Sequence, residues 1–324
     1  MTDTPILSIV ITSYMLDRLN DVLELLDSIK VQTCRNIETI FVAERSRELY
    51  NRTKIYAKEK GIPNSKVLFN DGELGLSAAR NLGIKEAEGD IIAFVDDDTL
   101  LFPDWAEEMV KVYQDDSVIG VTGPAIPLWE DESAASWFPE EFYWIMSCTA
   151  WSEWNETREV RNAWGQGMSF RKEAFKQCGL FLNEFGFHKG LIAEDNEFSF
   201  RVRERTGKCI VYCPAVRLWH RVHRYRLSQK FIRERAYWIG YSRRMLKKFY
   251  SQSEVNGADL LSQEHQLLKR ILTRLLPDIV KTLFTNTVSA WRKLLITITA
   301  LTFIALGYYS HLFPTSLSRL RKWY

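Results

Sequence analysis

Three consecutive carboxylates, Asp96, Asp97 and Asp98, are the residues of this chain whose types and spacing most clearly point to chemistry. They follow the apolar run 91–95, which is typical of a buried parallel strand ending at the carboxyl edge of a sheet. Open α/β sheets bind their ligands at that edge. Adjacent carboxylates repel one another, and a hard divalent cation such as Mg²⁺ relieves the repulsion. The run therefore indicates either a metal site or a solvated acidic turn.

Alternating strands and helices would position these carboxylates. Apolar and β-branched runs predict strands over 7–14, 38–43, 67–69, 91–96, 118–122 and 209–213. Apolar periodicity predicts helices over 19–31, 47–60, 75–88 and 104–113, with Gly61 closing the second. This alternation predicts an α/β fold with a mostly parallel, doubly wound sheet.

A second acidic pair, Glu194 and Asp195, lies farther along the chain. Residues 165–182 predict a glycine-rich turn leading into a short helix, and 192–203 predict a helix that begins with the pair. Carboxylates are stabilised at a helix N-terminus by the macrodipole, so the pair has a purely structural interpretation beside a catalytic one.

Composition supports a packed core and a phosphorylated substrate. The chain has 324 residues, of which 46% are hydrophobic. Its net charge is only +2, but residues 86–160 contain 19 acidic and 2 basic side chains, whereas residues 201–250 contain 15 basic and 2 acidic ones. Such segregation suits a substrate bound through a metal and phosphate groups. The five cysteines lack zinc-site spacing, which favours reduced thiols in the cytosol.

Tryptophan is concentrated in residues 129–164, which contain six of the eleven tryptophans. Two functional interpretations are a loop that stacks on a sugar and a surface at the membrane interface. Packing of a loop-rich insertion is the alternative.

Taken in order, several short motifs resemble those of glycosyltransferase family 2, an inverting family with the GT-A nucleotide-diphospho-sugar transferase fold. The resemblance covers about residues 7–225, and no single motif is specific by itself. The matching segments are residues 9–14 (IVITSY), 75–81 (GLSAARN), 94–98 (FVDDD), 165–171 (GQGMSFR), Glu194-Asp195 and His220.

The resemblance implies a nucleotide-sugar site along the early strands. Thr12, Ser13 and Tyr14 would line the nucleobase and ribose pocket, and Arg80 and Asn81 would lie against the ribose and diphosphate. Glu44 stands where the family usually has an Asp that holds the base or ribose, so this contact departs from the family pattern.

The resemblance also divides the carboxylates by role. Asp98 would bind Mg²⁺ or Mn²⁺, Asp96 would contact the ribose or the metal, and Asp97 would contribute electrostatically near the donor. His220 would be a late metal ligand, with His223 as its rival and a structural histidine as the alternative.

For the acceptor side, the resemblance implies that Asp195 is the base and that Glu194 orients the base or the acceptor. Trp164, Gly165 and Gly167 would belong to the acceptor region.

The C-terminal region has its own pattern. Residues 224–248 are basic and helical, and residues 264–284 predict a basic amphipathic helix that either lies in a membrane interface or packs on the catalytic domain, with Pro277 kinking or breaking it. Residues 294–313 carry no formal charge apart from a protonated His311 and are long enough to span a bilayer. A span, a monotopic or re-entrant element and a dimerising helix all remain open.

Together these features predict an inverting, metal-dependent glycosyltransferase on the cytosolic face of a membrane. The expected donor is a UDP-sugar, with a UDP-hexuronic acid suggested by a narrower likeness to archaeal hexuronic-acid transferases of protein N-glycosylation. The expected acceptor is a polyisoprenyl-phosphate-linked glycan. The alternatives are a non-catalytic membrane scaffold of the same fold and a transferase acting on a soluble or cell-surface polysaccharide.

The predicted organisation is a GT-A domain over 1–225, with a nucleotide-sugar half over about 1–125 and an acceptor half over about 126–225, followed by a helical region over 226–324. No nucleic-acid partner is expected, and a homo-oligomer remains open.

Overall fold

The structure, a computed structural model, describes residues 6–185, 193–250 and 262–312. The described residues form two compact units, one of residues 6–126, 153–185 and 194–220, the other of residues 127–152, 193, 221–250 and 262–312. Each is described here in turn.

The first unit alternates strands and helices. In chain order its first part contains β1 (Leu7–Ser13), α1 (Leu19–Lys30), β2 (Ile37–Glu44), α2 (Arg47–Lys60), β3 (Ser65–Asn70), α3 (Leu76–Glu86), β4 (Ile91–Asp96), β5 (Thr99–Leu101), α4 (Trp105–Val112), β6 (Val118–Thr122) and β7 (Ala125–Trp129), which runs on into the second unit. Its later part contains β8 (Arg158–Val160), β9 (Gly167–Arg171), α5 (Lys172–Cys178), α6 (Glu194–Thr206), β10 (Cys209–Tyr212) and β11 (Leu218–Val222).

Eight of these strands form one sheet in the order β3-β2-β1-β4-β9-β6-β10-β8. The first four are parallel, and β6 is parallel to β10, whereas β9 is antiparallel to both β4 and β6. Apolar side chains on both faces of the sheet are buried, in two separate core clusters. The predicted mostly parallel α/β sheet is therefore confirmed.

Strand β9 was not predicted. Residues 165–182 were expected to form a glycine-rich turn leading into a short helix, but Gly167–Arg171 pairs with Ile91–Val95 of β4 before α5 begins. The sequence is short, starts with glycines, and has Ser169 between two apolar residues, so its composition resembles a turn. The segment forms a strand because both of its faces are buried. Met168 and Phe170 pack into one core cluster, and on the other face the Ser169 hydroxyl forms a 2.9 Å hydrogen bond with the Tyr113 hydroxyl.

The second unit is mainly helical. Besides short 3₁₀ segments it contains α7 (Gln229–Phe249), α8 (Ser262–Arg270), a π-helical turn (Ile271–Leu275), α9 (Leu276–Leu283) and α10 (Thr287–Tyr308). The predicted amphipathic helix over 264–284 thus continues through a π-turn just before Pro277 rather than breaking. Proline lacks an amide hydrogen and clashes with the carbonyl four residues earlier, which the wider turn accommodates.

The apolar segment predicted over 294–313 lies in α10 up to Tyr308, and Ser310–Leu312 form a 3₁₀ turn; α10 itself begins at Thr287 after an Asn286 cap. Phe313 lies outside the described residues. Among the described residues, α10 is one helix that is long and apolar enough to cross a membrane, with a mean hydropathy of 1.4.

Two glycines let α7 and α10 pack at backbone contact. A methyl group added to Gly240 would lie 2.0 Å from the carbonyl oxygen of Ile304, and one added to Gly307 would lie 1.9 Å from that of Tyr237. Neither carbonyl can move away without opening its own helix, so only glycine fits at either position.

Replacing Gly307 with alanine should therefore destabilise the second unit by about 1–3 kcal/mol, the usual cost of overpacking. The measurement is the thermal unfolding midpoint of the full chain, with Ala305→Ser, at an exposed position of the same helix, as the control. Equal midpoints for the two variants would contradict the close approach.

Candidate active site

The polar ends of several strands meet at one edge of the eight-stranded sheet. In the parallel register of β1 and β4, Thr12 lies opposite Asp96. Because β9 is antiparallel to β4, its first residue, Gly167, lies beside Val95 at the same edge. The residues before β9 therefore reach the end of β4, although they come some seventy positions later in the chain.

Asp96, Asp98 and His220 form a cluster at this edge in which one ligand atom from each residue lies within 4.8 Å of the others. The Nε2 atom of His220 is 3.2 Å from Oδ1 of Asp98 and 4.0 Å from Oδ2 of Asp96. His220 is fully buried and arrives through the pairing of β11 with β5, in which it lies opposite Thr99.

Two carboxylates and an imidazole fit a divalent cation such as Mn²⁺ or Mg²⁺, since both accept carboxylate oxygens and Mn²⁺ also accepts imidazole. The sequence left His220 and His223 as rivals for this position. Their geometry differs, because His223 stacks on Tyr225 and has its Nδ1 3.7 Å from Glu130. Within the described residues, the metal-capable cluster contains His220 and not His223.

Arg18 is a site residue that the sequence analysis missed. Its Nη1 is 3.4 Å from Oδ2 of Asp98 and 3.2 Å from Oδ2 of Asp21. It follows β1 in a short 3₁₀ segment, where no motif or periodicity distinguishes it from a surface arginine. Its positive charge lies close enough to offset part of the negative charge of the buried Asp98 carboxylate.

Asp97 points away from this cluster toward β1, where its Oδ2 accepts a hydrogen bond of 2.5 Å from the Ser13 hydroxyl. Burial, followed by the neighbouring charge of Asp98, raises the pKa of Asp97 to about 7, and the hydrogen bond from Ser13 opposes the shift. Asp97 thus connects the end of β1 to the acidic run.

Arg80 links the metal-capable cluster to the second acidic pair. Its guanidinium donates to Oε1 of Glu194 at 2.9 Å, to Oδ1 of Asp96 at 3.3 Å and to the carbonyl of Gly165 at 3.1 Å. The side chain is buried, and its charge is compensated by the two carboxylates. The rigid guanidinium of Arg80, on α3, therefore ties together the end of β4, the start of α6 and the turn before β9.

Glu194 and Asp195 occupy the first turn of α6, as predicted. Burial and the adjacent Asp195 raise the pKa of Glu194 to about 7, while Arg80 opposes the shift. Asp195 is held differently: its Oδ2 accepts from the amide of Gly165 at 3.1 Å, and its Oδ1 accepts from Asn196. The two neighbouring acids therefore differ in environment, which is a common way to separate their roles.

The pKa of Glu194 predicts a pH dependence of stability. Because the pKa is raised above its ordinary value of 4.5, the folded state holds this proton more tightly than the unfolded state does. The resulting stabilisation is complete below about pH 4.5 and is lost as the pH rises through about 7. Glutamine mimics the protonated form and should not lose it.

Urea unfolding of Glu194→Gln and wild type, compared at pH 5 and pH 8 in a chelator, should therefore show the variant gaining in relative stability as the pH rises. Glu204→Gln, at an exposed position of the same helix, is the control and should track wild type. A stability difference that stays constant with pH would contradict the assignment.

Three residues predicted to bind the donor are placed differently from one another. Tyr14 is exposed beyond β1, with the Arg45 guanidinium 5.8 Å from its ring centre. Glu44 is buried at the end of β2 and accepts a 2.7 Å hydrogen bond from the amide of Gly75, which precedes α3. Asn81 exchanges two hydrogen bonds with the backbone of Phe181. The structure therefore engages Glu44 and Asn81 in positioning other segments and does not bring their side chains to the carboxylate cluster.

In the predicted acceptor region, the three residues also differ. Gly165 contacts both Arg80 and Asp195, whereas a side chain at Gly167 would lie 2.6 Å from Leu218. Trp164 is half-buried beside Trp154 and Tyr212.

The other tryptophans of this stretch that the structure details also have packing partners. Trp129 packs against Phe138 and Tyr143, and the Trp144 indole donates to the carbonyl of Glu141. The packing interpretation therefore accounts for much of the tryptophan density.

Two solved structures share this fold. The mannosyltransferase PcManGT from Pyrobaculum calidifontis, in complex with GDP-Man and Mn²⁺, superposes with a TM-score of 0.64 at 16% identity, covering 97% of this chain and 89% of that one. S. aureus TarS 1-349 in complex with UDP gives a TM-score of 0.52 at 16% identity, covering 94% and 91%. These likenesses show that the fold is the GT-A fold.

Sequence comparisons then give the family. The family described as Glycosyl transferase family 2 matches residues 8–179. A glucosyl-dolichyl phosphate glucuronosyltransferase of Haloferax volcanii is 30% identical over 250 residues, 76% of this chain and 79% of its own length. The putative glycosyltransferase EpsH of Bacillus subtilis is 33% identical over 116 residues, which are 36% of this chain and 32% of that protein. The chain belongs to glycosyl transferase family 2, as its motifs indicated.

Proposed function

We propose that this family 2 enzyme transfers a sugar, with inversion, from a UDP-sugar to a polyisoprenyl-phosphate-linked glycan at the cytosolic face of a membrane. A UDP-hexuronic acid is the proposed donor. One observation carries the catalytic part: Arg80 joins the Asp96–Asp98–His220 cluster to Glu194, directly beside Asp195.

In this proposal the donor lies along the carboxyl edge of the sheet. Thr12, Ser13 and the exposed ring of Tyr14 bind the nucleoside, with Asp97 fixing Ser13. Asp96 contacts the ribose or the cation, while Asp98 and His220 bind the cation. Glu44 and Asn81 support this site indirectly by fixing Gly75 and Phe181.

The reaction needs a leaving group and a base. When bound by the cluster, Mg²⁺ or Mn²⁺ supplies Lewis-acid stabilisation to the diphosphate that leaves. The acceptor hydroxyl attacks the anomeric carbon from the opposite side, and Asp195 accepts its proton as the new glycosidic bond forms. No covalent sugar–enzyme intermediate is required. Glu194, held by Arg80, keeps α6 and therefore Asp195 in place.

The proposed acceptor rests on two observations. The Haloferax volcanii relative is a glucosyl-dolichyl phosphate glucuronosyltransferase by name and aligns over three quarters of this chain. The C-terminal helices carry apolar and basic residues suited to a membrane surface. We assign donor and acceptor binding to residues 1–225, divided near residue 125, and membrane association to residues 226–324.

A donor and acceptor screen tests the proposal. Purified full-length protein is incubated with UDP-, GDP- and dTDP-sugars, including UDP-glucuronic acid, and with a glucosylated polyprenyl phosphate, in Mn²⁺, Mg²⁺ or chelator. We expect transfer from a UDP-sugar that depends on the cation. Transfer only to a polysaccharide would refute the lipid-linked acceptor. Metal-independent turnover would refute the cation, and absence of both transfer and donor hydrolysis would favour a scaffold.

A further inference from the structure

The amphipathic helical stretch of the second unit has more apolar surface than the protein itself covers. Its apolar residues form two rows at a spacing of four. One row enters the core of the unit and consists of Ile271, Leu275 and Ile279. The other is left exposed and consists of Leu268, Leu272, Leu276, Val280 and Phe284, with Phe284 86% exposed.

The exposed row continues onto the next helix. In the first half of α10 the side chains of Val288, Trp291, Leu295 and Ile298 are 49–64% exposed. Lys293 forms an ion pair of 2.5 Å with Asp278, which holds α10 beside α9. We call these two exposed rows, from Leu268 to Ile298, the apolar face. Beyond Ile298 the next exposed positions are Thr302 and Ala305, so the apolar face covers only the first half of α10.

The second half of α10 is covered by α7, and the two helices run parallel. The Thr299 hydroxyl donates to Oε1 of Gln229 at 3.4 Å, and Gly307 packs on the carbonyl of Tyr237. Just beyond α10, Nε2 of His311 lies 3.1 Å from Nη1 of Arg244. Helix α7 contains seven basic residues and one acidic residue in 21 positions. A charged side chain is strongly unfavourable at the centre of a bilayer. Helix α10 therefore cannot be surrounded by hydrocarbon while α7 stays packed along it.

The charges around the apolar face are mostly of one sign. Residues 266–312 contain six basic side chains and a single acidic one, Asp278. Lys269, Lys281 and Arg292 are exposed on the helices that carry the apolar face. Basic residues beside an apolar row suit the headgroup region of an anionic lipid leaflet, which attracts their positive charges.

We propose that α8, α9 and the first half of α10 lie flat on an anionic phospholipid leaflet through the apolar face, and that α10 does not cross the bilayer. This arrangement rests on the proposed function only in that a lipid-linked acceptor requires a membrane. In the flat arrangement both ends of the chain remain on the same side of the membrane, whereas a spanning α10 would place them on opposite sides.

Vesicle flotation tests the apolar face. Wild-type full-length protein should float with vesicles of phosphatidylcholine and phosphatidylglycerol, and less with phosphatidylcholine alone. The double variant Leu272→Glu/Val280→Glu should reduce partitioning at least about tenfold, because two apolar side chains of the apolar face become charged and no longer enter the lipid favourably. Thr273→Glu, at a neighbouring exposed polar position, adds one negative charge and is the matched control for the single variant Leu272→Glu. Equal loss for Thr273→Glu would overturn the assignment of the face.

Two further measurements exclude other arrangements. Tags at the two ends of the chain should be equally accessible to protease on sealed vesicles, and protection of the C-terminal tag alone would show a span and overturn the proposal. A dimer in solution that the double variant converts to a monomer would show that a second copy covers the face, with the same consequence.

Donor hydrolysis without vesicles, measured on the same samples, separates this proposal from the proposed function. Variants of the apolar face should hydrolyse the UDP-sugar as wild type does. If wild type hydrolyses the donor but does not bind vesicles, the membrane face is refuted and the transferase assignment stands. If it binds vesicles without any donor turnover, the transferase assignment is refuted and the membrane face stands.

Discussion

Replacing Asp98 with alanine should lower sugar transfer and donor hydrolysis by about 10²–10⁴-fold, since Lewis-acid stabilisation of a leaving group is worth several kcal/mol and each tenfold in rate corresponds to about 1.4 kcal/mol. Asp98 is the carboxylate nearest His220, with 3.2 Å between their facing atoms, and it is almost completely buried. The loss should appear in kcat together with a higher Mn²⁺ concentration for half-maximal activity.

The control for this variant lies at the other end of β4. Asp90 precedes β4 at the opposite edge of the sheet and is exposed. Asp90→Ala should keep full activity and the same Mn²⁺ dependence. If Asp98→Ala retained metal-dependent turnover, the cluster of Asp96, Asp98 and His220 would have to be regarded as structural.

Replacing Asp195 with asparagine should lower transfer by about 10²–10⁴-fold, the contribution typical of a general base. Asparagine keeps the size of the side chain and one oxygen that can accept from the Gly165 amide, but it gives up the bonds that Asn196 donates to the other oxygen, so the start of α6 should be weakened without being lost. UDP binding, measured by calorimetry in Mn²⁺, should remain within about twofold of wild type, because the substitution leaves the proposed metal and nucleotide residues intact.

The split between chemistry and binding is what makes this prediction decisive. Asp116→Asn, at a fully exposed position, controls for the loss of one negative charge and should leave transfer unchanged. Joint loss of UDP binding and transfer in Asp195→Asn would indicate that Asp195 only organises the start of α6. Retention of transfer would exclude it as the base.

Local signals in the sequence predicted much of the fold and the parts of the candidate site that lie at strand ends. Helix α2 was predicted with its observed bounds because its periodicity is regular and Gly61 adopts the left-handed conformation that closes it. The strand leading to Asp96 was also predicted, since an apolar run followed by acids is a strong pattern.

The interactions that the sequence could not supply are those between distant segments. Arg18 reaches Asp98, Asn81 fixes Phe181, and Glu44 fixes Gly75, yet each looks like an ordinary polar residue in its own neighbourhood. Strand β9 was missed for the same reason, because its conformation is imposed by two partner strands rather than by its composition.

The position of β9 between β4 and β6 has a consequence for how the enzyme is synthesised. During translation, β4 can pair with β1, at the edge of the β3-β2-β1 sheet, as soon as residue 96 has emerged, but the other edge of β4 has no partner until residues 167–171 follow. Until then a five-residue apolar strand presents an open edge, the kind of surface that recruits foreign strands. A fragment ending near residue 125 would keep that edge permanently, so we expect it to aggregate rather than bind nucleotide. The strand that carries the acidic run is therefore also the point at which the nascent chain depends most on chaperones.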